Sequence, residues 1–231
     1  MKKIGKNSDI QTIVSIYDDS GGGGESVAPA YDWVFEVLLK RYQNGELTRK
    51  HSHLVGLIIG RPSEPLVRDQ IIPNLEYWHH RSAAYVDLFC FGFYPNKDFA
   101  ARDFERALIS LESNTRWTYG GGTELLLFNV NYSLEKWTVE PDFSTALALT
   151  LESVVNVDGY ERLPIFFEKI LTAAKLADRG GEAADISNSF GRELTKSALI
   201  GLLVALVPES MKKEARDAFI FAVKDISKRN E

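Results

Sequence analysis

Cysteine is nearly absent from this chain: Cys90 is the only one in 231 residues. A single thiol rules out an intrachain disulfide, a Cys-x-x-Cys redox centre and any metal site built on paired cysteines. Long apolar runs are missing as well. The longest, Ala198–Val207, is interrupted by Gly201 and covers about half of the ~20 residues a membrane-crossing helix needs. Nor is there an excess of basic charge. Lys and Arg number 27 against 32 Asp and Glu, for a net charge of −5, which argues against bulk electrostatic attachment to DNA, RNA or anionic lipid. No G-x-x-x-x-G-K-[ST] loop and no internal repeat occurs. The start, Met-Lys-Lys-Ile-Gly-Lys-Asn-Ser-Asp, is basic but is not followed by an apolar signal region. The expectation is a soluble, cytoplasmic chain with no membrane span.

What remains is globular in character. Hydrophobic residues make up 45% and charged residues 26%, enough to fold without disulfide or structural metal. Ile10–Tyr17 alternates as a strand and ends at Asp18-Asp19-Ser20 and four glycines, Gly21–Gly24. Pro29 suits the first turn of a helix with Trp33, Val34, Val37, Leu38 and Arg41 on one face, stopped by Asn44-Gly45. His53–Ile59 is a continuous apolar strand, the type covered on both faces. After Gly60-Arg61-Pro62-Ser63-Glu64-Pro65 a helix is expected to about His80, capped by Ser63 and kinked by Pro73. Ala84–Phe93 reads as an aromatic strand, and Asp98 as the cap of a helix with Phe99, Phe104, Leu108 and Leu111 inward.

Trp117-Thr-Tyr-Gly-Gly-Gly-Thr-Glu-Leu-Leu-Leu-Phe128 is a glycine turn feeding a buried strand, Glu124–Val130. Two periods compete over Phe143–Val155, and the neighbouring elements favour a strand over a helix. Pro164–Ala177 predicts a helix closed by Arg179-Gly180-Gly181. Two further helical patterns follow at Ala183–Val207 and Ser210–Arg229. The glycine pair divides an α/β body, 1–179, from a helical C-terminal extension, 182–231, packed on that body or on a partner.

Strand–helix three times, then two strands and a helix, is the element order of the thioredoxin fold, which residues 10–178 resemble. Gly60–Pro65 falls where that family carries its Cys-x-x-Cys. Gly122-Thr123-Glu124-Leu125-Leu126-Leu127-Phe128 is similar to the family's Gly-x-Pro-Thr-Leu-Leu-Leu-Phe segment. The resemblance implies a thioredoxin-like mixed sheet flanked by helices. Ser63 stands where a cysteine would, and Thr123 where a cis-proline would. A cis bond without proline costs ~3 kcal/mol, so none is expected there. Dithiol oxidoreductase chemistry is excluded.

Chemistry-bearing residues gather in loops. If the first strands are parallel, one sheet edge collects Asp18, Asp19, Arg61, Ser63, Glu64, Asn96 and Lys97, with Thr123 beside them. Asp18 and Asp19 are the metal candidates, and Arg61 or Lys97 would clamp a phosphate that Ser63 orients. Asp18, Ser20 and Gly22 are also similar to the Asp-x-Ser-x-Ser metal motif of von Willebrand A domains, without its second serine. His51 and His53 share a strand face but have no third ligand at metal-site spacing, and His79-His80 adds none. Cys90, mid-strand between Phe89 and Phe91, is expected to be buried and inert.

The favoured expectation is therefore a non-catalytic interaction or assembly subunit with no cofactor, meeting a protein partner or a second copy through its C-terminal helices. The competing expectation is a metal-dependent phosphoesterase or nucleotide-binding enzyme using the Asp18/Asp19 loop.

Overall fold

A computed structural model describes residues 27–28, 31–44, 52–75, 77–78, 86–93, 98–133, 138–155, 163–164, 166–168, 170–171 and 223–227. The elements are β1 (Val27–Ala28), α1 (Tyr31–Gln43), β2 (Ser52–Ile59), β3 (Val86–Phe91), α2 (Ala101–Asn114), β4 (Glu124–Ser133), β5 (Thr138–Thr150), α3 (Leu151–Val155) and β6 (Val223–Asp225). A π-helical stretch, Val67–Ile71, and a 3-10 turn, Ile72–Asn74, lie between β2 and β3. The strands form one mixed sheet in the order β1-β3-β2-β4-β5-β6. β1 and β2 run parallel to β3, whereas β4 is antiparallel to β2, β5 to β4 and β6 to β5.

Strand alternation sends side chains to two cores. On one face, Leu54, Ile58, Leu88, Cys90, Leu125 and Leu127 pack against Val67, Ile71, Leu75 and Trp78, and against helical residues from Leu163 to Leu171. On the other, Val55, Leu57, Ile59, Phe89, Phe91, Leu126 and Phe128 meet Val34 and Leu38 of α1 and Phe104, Leu108 and Leu111 of α2. Central strands buried on both sides account for their uninterrupted apolar sequence. Cys90 is fully buried, and desolvation pushes its thiol pKa up. Among the described residues no helix is long and apolar enough to cross a membrane.

Several expectations need correction. The helix expected from Ser63 to His80 is helical only in short, differently wound pieces through Trp78. Pro73 has no N–H to continue an α ladder, and the 3-10 turn holds it at its centre. The position before its first helical residue is Glu64, not Ser63: helix begins at Pro65, and the Glu64 carbonyl accepts the Arg68 N–H at 3.0 Å. Asp98 does not cap α2. Phe99 bridges Phe93 and the Ala100 N–H donates to the Gly92 carbonyl at 2.8 Å, so the chain stays extended until Ala101.

Phe143–Val155 resolves into both readings in succession, strand to Thr150 and then α3. A bulge opposite Phe128 explains the mixed period. Leu127 pairs with Leu147 but Asn129 pairs with Asp142, and the Phe128 ring packs tilted against Phe143 at 5.2 Å. The helix expected over Ser210–Arg229 is overturned at Val223–Asp225, which pairs with Leu147–Leu149 as β6. Ile226 is buried, its N–H bonded to the Ala146 carbonyl at 3.1 Å. An open edge on β5 offers hydrogen bonds that outweigh the weak helical preference of Val and Ile. The expected strand Ile10–Tyr17 and the pattern Ala183–Val207 lie outside the described residues; the described strand on the side of β3 away from β2 is β1.

Candidate functional site

The parallel strands end together. Ala28 pairs with Phe91, Phe91 with Ile59, Ile59 with Glu124 and Glu124 with Thr150. This row forms the carboxyl edge of the sheet, and the turns beyond it meet there.

The glycine turn between α2 and β4 is fastened at both ends. The Thr115 hydroxyl donates to the Leu111 carbonyl at 2.8 Å and accepts the Trp117 N–H at 3.1 Å. Glu112 accepts the Tyr119 N–H at 2.9 Å. Glu124, buried at the start of β4, takes the Trp117 indole N–H at 2.5 Å and the Gly120 N–H at 3.4 Å. Between these anchors Gly121 adopts φ +86°, a conformation that costs an L side chain ~1–2 kcal/mol. No described peptide bond is cis.

Thr123 follows, fully buried. Its N–H donates to Glu152 Oε1 at 2.8 Å, and its carbonyl accepts the Leu151 N–H at 2.8 Å, which ties the turn to the start of α3. Its side chain lies against Gly60. A Cβ there would stand 3.2 Å from Thr123 Cγ2, 3.5 Å from Thr123 Oγ1 and 2.5 Å from Val67 Cγ2. The backbone of the loop after β2 therefore packs directly against the Thr123 side chain of the glycine turn. On the turn's other side, a Cβ at Gly122 would meet Glu152 Oε2 at 3.3 Å.

Three buried oxygens on the glycine turn and on α3 have no hydrogen-bond partner among the described residues: Tyr119 Oη, Thr123 Oγ1 and Glu152 Oε2. An unmet buried polar atom costs ~1–3 kcal/mol, so three together need a reason. Tyr119 also reports the local field. Its phenol pKa is pushed up to about 12, first by burial and then by Glu64, with Glu124 and Glu152 adding to the rise and Arg61 opposing it. Arg61 itself pairs with Glu105 at 2.5 Å and lies over the Phe104 ring at 5.4 Å. Both partners of that pair are about half exposed, which limits its worth to ~1 kcal/mol or less.

Of the residues singled out from sequence, Arg61, Glu64 and Thr123 come together here. Ser63 is exposed in the same loop. Asp18, Asp19, Asn96 and Lys97 lie outside the described residues, as do His51, His79 and His80. Among the described residues no group of three His, Cys, Asp or Glu could hold a metal ion. Sequence reasoning missed Tyr119, Glu124 and Glu152. The first two stood in the segment Trp117–Phe128 itself, as polar residues beside a glycine turn. Glu152 carried no local signal, because it reaches the site only when the strand ends at Thr150 and α3 turns it back.

As chemistry, the arrangement offers hydrogen-bond acceptors in a negative field, framed by aromatic rings. No family model, curated protein or solved structure matches the chain.

Proposed function

We propose that this chain is a non-catalytic interaction subunit on a redox-inactive thioredoxin-like scaffold, and that it holds a protein partner at the carboxyl edge of its sheet. The carrying observation is the unpartnered buried hydroxyl of Thr123 where the loop after β2 meets the glycine turn, with Tyr119 Oη on that turn and Glu152 Oε2 on α3 also unpartnered among the described residues. Buried polar groups are retained where something satisfies them. The scaffold reading is supported by the strand order β1-β3-β2-β4-β5, with the first three parallel and the next two antiparallel. It is supported too by α1 and α2 sharing one face while the segment after β2 covers the other. A C-terminal extension that adds a partner or self-association surface belongs to the same proposal, with β6 as the point where it rejoins the sheet.

A photo-crosslinking residue at exposed Ser63 tests the edge, with the exposed Ile109 on α2 as the control position. A discrete adduct is expected at Ser63 and not at Ile109, and Thr123→Val should abolish it. Equal adducts at both positions, or an adduct indifferent to Thr123→Val, would refute the edge as the recognition surface. The competing metal-dependent reading predicts instead that Mg²⁺ or Mn²⁺ raises the melting temperature and that Asp18→Asn with Asp19→Asn removes the gain.

A further inference from the structure

We infer that residues 223–227 are a releasable strap, and that the β5 edge beneath them is a docking groove for an extended segment, held shut in cis by the chain's own copy of that segment. The inference stands apart from the carboxyl-edge reading and does not depend on it. The segment is held as a bound peptide is held. Its ladder is only three pairs long, Val223, Lys224 and Asp225 against Leu149, Ala148 and Leu147. The Ser227 hydroxyl meets the Ala146 carbonyl across 81 positions of sequence, so no tight turn fastens the strap to β5. Of its side chains only Ile226 is buried, while Lys224 and Asp225 are exposed. A central strand such as β2 differs on each count: it pairs on both sides, and residues 54–59 are all buried.

The seat itself is well defined. The Ile226 N–H donates to the Ala146 carbonyl at 3.1 Å, and the Ile226 carbonyl accepts the Arg116 N–H at 2.9 Å. One residue is thus clamped between the β5 edge and the turn after α2. Its side chain joins the core cluster that contains Ala146, Ala148, Leu111 and Trp117. On the opposite face β5 carries Leu147 and Leu149, but towards this cluster it presents two alanines. Close packing at the sheet margin then requires a branched aliphatic side chain from outside β5, and Ile226 supplies it. Main-chain bonds for affinity and one side-chain seat for specificity are the parts of strand addition at a sheet edge. The strap's own rim is closed to a further strand. Asp225 accepts the Ser227 N–H at 3.1 Å, and the exposed charges of Lys224 and Asp225 oppose another ladder. Release of the strap, by contrast, bares the apolar residues 146–149.

The test is amide NMR of the full chain titrated with acetyl-Val-Lys-Asp-Ile-Ser-amide, and with the same peptide carrying Asp in place of Ile as control. Ile226→Asp puts a carboxylate into the aliphatic seat and should free the strap while far-UV circular dichroism stays unchanged. The variant is expected to bind the first peptide saturably, with shifts at residues 146–149 and Arg116, and not to bind the control. The wild-type chain should bind about tenfold or more weakly, because its own strap competes at the high effective concentration of a tethered ligand. A folded variant that does not bind, equal binding by wild type and variant, or binding of the control overturns the groove. Shifts at residues 146–149 that grow with wild-type concentration alone would put the strand of a second copy in the groove and overturn closure in cis. Hydrogen exchange of the wild-type chain tests release without any substitution. The Ile226 amide should exchange about a hundredfold or more faster than that of Leu126, through an opening insensitive to low urea. Exchange of both through one urea-dependent opening would make β6 part of the cooperative core and overturn the strap.

Discussion

The two ends of the sheet treat buried polar groups in opposite ways. Near the start of β3, Asp87 is buried on the α1 side and forms an ion pair with Arg41 from the last turn of α1. That charge is removed from water and answered within the chain. At the carboxyl edge, Tyr119, Thr123 and Glu152 also bury polar atoms, but those atoms are left without partners among the described residues. The same sheet thus shows what a polar group looks like when the fold uses it and when the fold leaves it available. Under the proposed function, recognition would lie at the carboxyl edge and structural support at the Asp87 end.

Breaking the supported end should have the largest effect. Asp87→Ala removes the carboxylate that answers the buried Arg41 guanidinium, at an expected cost of ~3–5 kcal/mol. Urea denaturation would show it as a large fall in midpoint, and a fall below ~1 kcal/mol would mean that the pair is solvated.

Crowding the recognition end should cost less. Gly60→Val drives a Cβ to within 2.5 Å of Val67 Cγ2 and wedges the loop away from Thr123, costing ~1–3 kcal/mol. Gly121→Ala meets no neighbouring atom, so its cost of ~1–2 kcal/mol is purely conformational. Gly121→Asn should recover part of it, because asparagine tolerates positive φ better. Equal losses for Ala and Asn would contradict the backbone explanation.

Alkaline titration sharpens the comparison in another observable. Tyr119 holds its proton to about pH 12 in the folded chain, whereas an unfolded tyrosine releases it near 10. Between those values the unfolded state binds fewer protons, so stability falls as pH rises through this window and is fully present below it. Ultraviolet difference absorption should show one late tyrosine that Tyr119→Phe removes, together with a shallower alkaline loss of stability.

Much of the scaffold was legible because its physics is local. Leu54–Ile59 and Leu125–Phe128 are apolar without interruption and Val86–Phe91 is broken only by Asp87, as a strand covered on both faces demands. The face of Phe104, Leu108 and Leu111 likewise announces α2. Illegible parts depend on contacts distant in sequence. Val223 and Ile226 fit a helical period until the open edge of β5 recruits them. The strand period of Phe143–Thr150 passes through a bulge opposite Phe128, whose ring packs against Phe143. At the site, Thr123 and Arg61 were readable from their turns, but Glu152 reaches Thr123 across 29 positions of sequence. No spacing rule links the two.

Two threonines of similar burial provide the most direct test. Thr115 uses its hydroxyl twice, whereas the Thr123 hydroxyl has no partner among the described residues. Both can be changed to valine with little change of shape, and equilibrium urea denaturation compares the results. Thr115→Val should lose ~1 kcal/mol, and Thr123→Val should lose nothing or gain up to ~1 kcal/mol. A loss at Thr123 equal to that at Thr115 would mean that the fold already uses this hydroxyl, and the carboxyl edge would lose its claim as the place kept open for a ligand.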